Sequence, residues 1–481
     1  MRFVTPDPLE DGGIAEFSSR LRRGAITAEA VTEAYLARID ALDGALGAYE
    51  YVAADDARRQ ASAVDALLRS GTDLGPLMGV PVAIKDVFAV DGMPTTAGSN
   101  LGVAEIVGGE GGFVRLLKRA GCVILGKLKT VEFTLGSAGV NYRRGSPWNP
   151  WDAAVHRLAA GSSSGSGVAM AAGLCGFAIG TDTGGSVRGP AAFCGVVGVK
   201  ATAGAWPMDG IFPGSETFDS IGPLTRSADD AAAVVAALLD APPPAPAPMT
   251  GMRLGKLSGL FEKADAHVLG CLEAALAALA KAGAEIVEVD PLDIAELSET
   301  SLHFPTIARP EFIARFGRER FLASRAEMNP DVASRASAGL SVPADAYIRA
   351  LHRHRELQAV GNRMIAEVDA WIAPAKWRLP PPCPADWRGL DGDRELDELC
   401  AGPTRAVNVL GMCATSLPVQ QFGAPLPVGM QVICPHSADL RLLAIGRSIE
   451  QVIGRPSTPD LRGFLRASGR TENSQHTGTV N

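Results

Sequence analysis

Three features of this sequence predict an α/β fold. Short apolar runs rich in β-branched residues and bounded by glycine, such as LMGVPVAIKDVFAV and GCVILGK, read as buried strands. Helical segments such as GFVRLLKRA lie between them, so strands and helices alternate. Hydrophobic residues make up 47% of the 481 and charged residues 20%, which supplies a sizeable core and argues against disorder.

The elements follow in order. Residues 14–70 read as helical: TAEAVTEAYLARIDALD sets Val31, Tyr35, Ile39 and Leu42 on one face, and ADDARRQASAVDALLRSG is a second helix stopped by Gly71. The strand-like runs come next, with CVIL read as a buried strand ended by Gly126. APPPAPAP, residues 241–248, cannot continue a helix and reads as an extended connector. Beyond it, ADAHVLGCLEAALAALAKAGAEIVEVDP reads as a helix followed by a strand, and PADAYIRALHRHRELQAVGNRMIAEVDAWIAP repeats that order. The polar stretch 467–481 reads as a frayed tail. Length alone would suggest two or three average domains.

Composition excludes several classes of function. A net charge of −8 is wrong for a nucleic-acid binder, and no basic run offers itself to an anionic membrane. The N-terminal stretch has no apolar h-region, and the longest uncharged apolar run, residues 168–180, is too short to span a bilayer. A soluble, cytoplasmic protein is expected. The eight cysteines (Cys122, Cys175, Cys194, Cys271, Cys383, Cys400, Cys413 and Cys434) lack CxxC spacing and read as buried thiols, not metal ligands.

Two motifs are decoys. GCVILGKL spaces its glycines and lysine like a phosphate-binding loop, but Leu128 stands where a Ser or Thr would hold magnesium. GSSSG, residues 161–165, matches the nucleophile elbow of α/β-hydrolases with Ser163 as nucleophile. That fold needs a strand just before the serine and a late histidine; AAVHRLAA is a weak strand, and the late histidines are only His436 and His476. A serine hydrolase of this composition needs another base. Lys85, at the end of an apolar strand, is a candidate if burial lowers its pKa, although a salt bridge to Asp86 is the alternative. The glycines before Ser186 in GTDTGGSVRGPAA would let backbone N–H groups turn inward as an oxyanion hole, or make only a tight turn.

Residues 76–226 resemble the amidase signature family. GVPVAIKD is similar to its lysine motif, AGSSSGSG to its Gly/Ser loop, GTDTGGSVRGPAAFCGVVGVKAT to its nucleophile motif, and SETFDSIGPLTRSADD to the segment closing its core. The resemblance implies one large domain over residues 1–466, a mixed β-sheet flanked by helices on both faces, with residues 250–405 shaping the substrate site. It also implies a Ser–cis-Ser–Lys triad. Ser186 would be the nucleophile, Ser162 the serine on a non-proline cis peptide and Lys85 the base, with Ser163 supporting the last two. The N–H groups of Thr183, Gly184, Gly185 and Ser186 would hold the oxyanion.

Where the sequence departs from the family pattern, the substrate is what changes. Gly189 stands where the family carries a larger side chain, which would widen the pocket or adjust the backbone. Trp377, in APAKWRLPPP, is expected to line the substrate entrance. The function implied is hydrolysis of a small or medium amide, carbamate, aryl amide or ester through an acyl-enzyme, without cofactor or metal. The partner expected is the small-molecule substrate, with a homodimer as the assembly the reading allows. Two rivals accompany it: a glutamine-hydrolysing subunit of a tRNA-dependent amidotransferase, and a non-catalytic family member.

Overall fold

A computed structural model describes residues 4–289, 295–385, 389, 395–396 and 400–465; for 295–302 it describes the backbone alone. The sequence-predicted tail, 467–481, lies outside the described residues. Eleven strands among these residues form one mixed sheet, in the order β1-β3-β2-β4-β6-β5-β10-β11-β9-β7-β8. They are β1 (Tyr49–Val52), β2 (Pro81–Lys85), β3 (Val123–Leu128), β4 (Phe177–Asp182), β5 (Val197–Lys200), β6 (Ser220–Thr225), β7 (Arg253–Leu257), β8 (Glu285–Val289), β9 (Ala370–Pro374), β10 (Cys413–Pro418) and β11 (Gly429–Cys434).

Sequence character sets position in the sheet. The near-continuous apolar runs become central strands: every residue of β2, β4 and β6 is buried, as strands covered on both faces must be. EIVEV, with its exposed glutamates, becomes the edge strand β8. β2 pairs in parallel with both β3 and β4, so β2 and β4 end at the same edge of the sheet. The crevice beyond the carboxyl ends of adjacent parallel strands is where α/β proteins place ligands.

The helix-then-strand units beyond the connector form as Ala266–Lys281 with β8 and Ala344–Met364 with β9. Two boundaries differ from expectation. The span 14–70 is not all helix, because YEYV separates the helices Ala28–Leu46 and Ala54–Arg69 as edge strand β1. Nor does the strand after Cys122 end at Gly126; it continues to Leu128. Gly126 sits at φ 154° where the β2–β3 register shifts, and a Cβ there would meet the Tyr51 carbonyl oxygen at 2.1 Å. The extra length brings Lys127 beside Asp86.

Candidate active site

Lys85 is the last residue of β2 and is fully buried. Its Nζ donates to Ser162 Oγ and to Thr181 Oγ1, both at 2.8 Å. Asp86 does not pair with it; Asp86 Oδ1 accepts from Lys127 Nζ at 2.8 Å, so the salt-bridge alternative for Lys85 is replaced by a different pair. Burial pulls the Lys85 pKa down to about 7, against the opposing charges of Asp219 and Asp182. An amine in this state is partly neutral near neutral pH and can accept a proton.

The Gly/Ser stretch is buried throughout: Ser162, Ser163 and Ser166 are fully covered. The Gly161–Ser162 peptide is cis, and Ser163 leads directly into the helix Ser164–Ala171. No strand precedes Ser163; the 151–160 segment contributes only an isolated bridge, Arg157 with Pro382. The nucleophile-elbow arrangement is therefore not formed. Glycine serves here for close approach: a Cβ on Gly165 would meet the Ala48 carbonyl oxygen at 2.5 Å. Ser163 N–H donates to the Ser186 carbonyl at 3.3 Å and Ser163 Oγ to the Thr181 carbonyl at 3.3 Å, tying the two loops together.

Ser186 lies in the turn that follows β4, and the turn is organised by Asp182. Its carboxylate accepts from the N–H of Gly185 (2.8 Å) and of Val187 (3.1 Å) and pairs with the fully buried Arg188. Burial alone would raise the Asp182 pKa, but the charge and hydrogen bonds of Arg188, with Lys200 and Asn408, hold it well below the usual carboxylate range. The expected set of oxyanion donors is thereby reduced, because the Gly185 N–H already points to Asp182. Among the described residues no hydrogen bond engages the N–H groups of Thr183, Gly184 and Ser186. Gly185 has a conformational role instead: at φ 120°, a Cβ would meet Thr404 Oγ1 at 1.9 Å.

A cavity of about 220 Å³ opens over this turn, lined by Gly161, Thr183, Gly184, Gly185 and Ser186 on one side. Facing them are Phe304, Pro305, Ala308 and Arg309 on the helix Ala295–Phe316, with Arg335, Lys376 and Arg405. A larger cavity of about 820 Å³ lies between Asp7, Arg38, Arg226 and residues 455–462; none of the predicted catalytic residues lines it. Two predicted pocket residues stand elsewhere. The space beside Gly189 is filled by Lys376, whose Cε and Nζ lie 2.8 Å from where a Cβ would stand, so the missing side chain admits a lysine and does not widen the cavity. Trp377 turns away, its indole N–H donating to the Leu260 carbonyl at 3.0 Å.

Sequence reasoning passed over Asp182, Asp219 and the cationic wall. Asp219 is buried beside Lys85 and accepts from Thr183 Oγ1 at 2.5 Å and from the Gly214 and Ser215 N–H groups. Burial pushes its pKa up to about 6, against those hydrogen bonds and the Lys85 charge. The available signal was helical spacing: residues 304, 305, 308 and 309 share one helix face. No group of His, Cys, Asp or Glu able to hold a metal occurs among the described residues, and no described helix is long and apolar enough to cross a membrane.

Comparison with known proteins agrees with this architecture. A family model described as Amidase matches residues 30–443. The chain is 36% identical, over 92% of its length and 96% of the relative's, to a 2-amino-5-chloromuconic acid deaminase of Comamonas testosteroni. It is 35% identical to the A subunit of the glutamyl-tRNA(Gln) amidotransferase from Streptomyces coelicolor, covering 91% of this chain and 95% of that one. A crystal structure of an amidase superposes with a TM-score of 0.82 at 30% identity, covering 92% of this chain and 100% of the other.

Proposed function

The chain belongs to the amidase family, a family of hydrolases acting on C–N amide bonds, and we propose that it cleaves its substrate through Ser186 as nucleophile, Ser162 as proton relay and Lys85 as base. The observation that carries this reading is the 2.8 Å hydrogen bond from the buried, pKa-depressed Lys85 to Ser162 Oγ, beneath a cavity lined by Ser186. Neutral Lys85 takes the Ser162 proton as Ser162 takes that of Ser186, and Ser186 Oγ forms a bond to the amide carbon. The N–H groups of Thr183, Gly184 and Ser186 hold the resulting oxyanion, each worth on the order of 10²-fold in rate. Collapse breaks the C–N bond, and the proton on Lys85 returns through Ser162 to the leaving amine. Water then attacks the acyl-enzyme by the same relay and frees the acid. Ser163 holds the Ser162 loop against β4.

The same machinery would cleave carbamates, a urethanase activity, as well as aryl amides or esters. The proposal requires no cofactor or metal and includes a cytoplasmic location and a homodimer. Intact-mass spectrometry after exposure to a fluorophosphonate tests it. An adduct mapped to Ser186 and lost in Lys85→Ala is expected, and an adduct on Ser163 would overturn it. The amidotransferase relative favours a second reading, a glutamine-hydrolysing subunit. Copurification with a second, different protein chain distinguishes that reading from a free-standing enzyme.

A further inference from the structure

The helix that faces Ser186 across the cavity is tied to the reaction turn through one carboxylate. Phe304, Ala308 and Glu311 follow one another at spacings of four and three on the helix Ala295–Phe316, so they share a face. Phe304 and Ala308 line the 220 Å³ cavity, and Glu311 lies beyond them, half-buried. Its Oε2 accepts from the Ser215 hydroxyl and from the Thr217 N–H at 3.2 Å. Its Oε1 accepts from the Thr217 hydroxyl and from the Tyr347 hydroxyl at 3.0 Å. Four donors thus converge on this carboxylate, three of them from the loop 214–219.

The same loop holds the oxyanion turn from its other side. Ser215 donates its N–H to Asp219 Oδ2 at 3.1 Å while its hydroxyl goes to Glu311, so one serine links the two carboxylates. Asp219 in turn accepts from Thr183 Oγ1 at 2.5 Å, and Thr183 carries one of the N–H groups assigned to the oxyanion. Phe218, on the same loop, is buried with its ring stacked on that of Phe304, 5.0 Å between centroids. Helix and loop therefore meet twice, once through hydrogen bonds and once through rings. The helix has need of such ties: Pro305 and Pro310 lie inside it, and each lacks the N–H that an interior residue gives to the preceding turn.

Resting on the Ser186 reading above, we propose that Glu311 is a positioning residue for the reaction. Through Ser215 and Asp219 it holds the cavity wall and the Thr183 end of the oxyanion turn in one register. A glutamine in its place keeps the shape but brings an amide NH₂ to a site made of donors. Wall and turn then lose their common register without a hole being left in the packing.

The test compares Glu311→Gln with the unsubstituted protein, using a short-chain alkyl fluorophosphonate as the probe of Ser186. In that reaction Ser186 Oγ bonds to phosphorus, fluoride leaves, and the phosphoryl oxygen takes the place of the oxyanion. The limiting labelling rate should fall roughly ten- to hundredfold, up to the value of one lost oxyanion donor. The probe concentration giving half that rate should stay within about threefold, which separates positioning from binding. Hydrogen exchange should quicken in peptides covering 214–219 and, beyond them, 182–187. Trp377→Phe, outside the cavity lining, is the reference for a small general loss of stability and should change neither readout. If Glu311→Gln does not fold, Ser215→Ala with Thr217→Val removes two of the donors, leaves Glu311 in place and should move both readouts in the same direction. An unchanged limiting rate, or faster exchange confined to 303–316 and 214–219, overturns the proposal. An unsubstituted protein that takes no label at Ser186 would instead sink the nucleophile assignment, while exchange at 182–187 still decides the role of Glu311.

Discussion

The wall of the cavity that carries Ser186 and the wall that carries Arg309 and Arg405 differ in how their polar groups are satisfied. On the first, Lys85, Ser162, Ser163, Asp182 and Arg188 are fully buried and bond to one another or to neighbouring backbone. Arg188 alone reaches Asp182, Asn408, Gln431 and the Thr404 carbonyl. On the second, Arg309, Arg335 and Arg405 are half-buried side chains of one sign, carried by helices and not by the sheet. Burial on the first wall depresses the Lys85 pKa and makes the wall intolerant, since each partner's loss strands another buried group. The buried polar network and the half-buried arginines are thus carried by separate parts of the molecule, the sheet and the helices.

The largest break of that comparison is expected at Ser186, the proposed nucleophile. Ser186→Ala should lower kcat by about 10⁴- to 10⁶-fold on any amide the enzyme turns over, because nucleophile and relay act as a unit. Lys85→Ala should fall in the same range, read as turnover of the same amide. Turnover within tenfold of the unsubstituted protein in either variant would overturn the proposed roles of Ser186 and Lys85.

Arg188→Met comes next and acts on stability. It leaves the Asp182 carboxylate buried without its counter-ion, which costs about 3–5 kcal/mol. The denaturation midpoint in urea should fall accordingly, and kcat with it, because Asp182 positions the Ser186 turn through the Gly185 and Val187 N–H groups. A stable Arg188→Met protein would show that the turn holds itself.

The pH profile probes the first wall more gently. As the proposed base Lys85 must be neutral to act, so kcat/KM should rise as pH increases through about 7. Asp219 raises the Lys85 pKa by its charge, so Asp219→Asn should move that rise to lower pH. The same pKa enters stability with a definite sign. A folded-state value of about 7 against the ordinary lysine value of 10.5 means the unfolded chain binds the extra proton between them. Lys85 therefore contributes stability that increases with pH across that window. Lys85→Met should flatten that slope, read from denaturation midpoints at a series of pH values.

How much of this was legible in the sequence depends on whether a residue acts locally or across the fold. β2 and β3 were readable as apolar runs because local composition fixes them, whereas the Gly/Ser loop could be placed at the site only through its resemblance to a family motif. The helix-then-strand units beyond the connector were readable from local composition too. β1 was missed because YEYV becomes a strand only by pairing with β3 at the sheet edge. The fate of the Gly185 N–H was hidden too: GTDTGG advertises free donors, and only the folded turn shows Asp182 claiming one. The cationic wall was least visible, since Arg309, Arg335, Lys376 and Arg405 come from separate segments that converge only in space. Gly189 misled for a related reason; the space it leaves is filled by Lys376, far along the chain.

The smallest expected effect concerns Trp377, which the sequence places at the entrance and the structure does not. Its indole N–H bonds to the Leu260 carbonyl, Lys263 Nζ sits 5.5 Å from its ring centroid, and its own carbonyl accepts from the Asp265 N–H at 2.8 Å. These contacts anchor residues 260–265, which lead into the helix Ala266–Lys281, and leave the ring out of the cavity lining. Trp377→Phe keeps an aromatic ring and removes one neutral hydrogen bond, so stability should fall by about 1 kcal/mol. Because nothing in either wall moves, kcat/KM should stay within about twofold, as for substitutions away from a site. A KM raised tenfold or more at unchanged stability would argue the opposite: the substrate would then extend beyond the 220 Å³ space to the surface that Trp377 occupies.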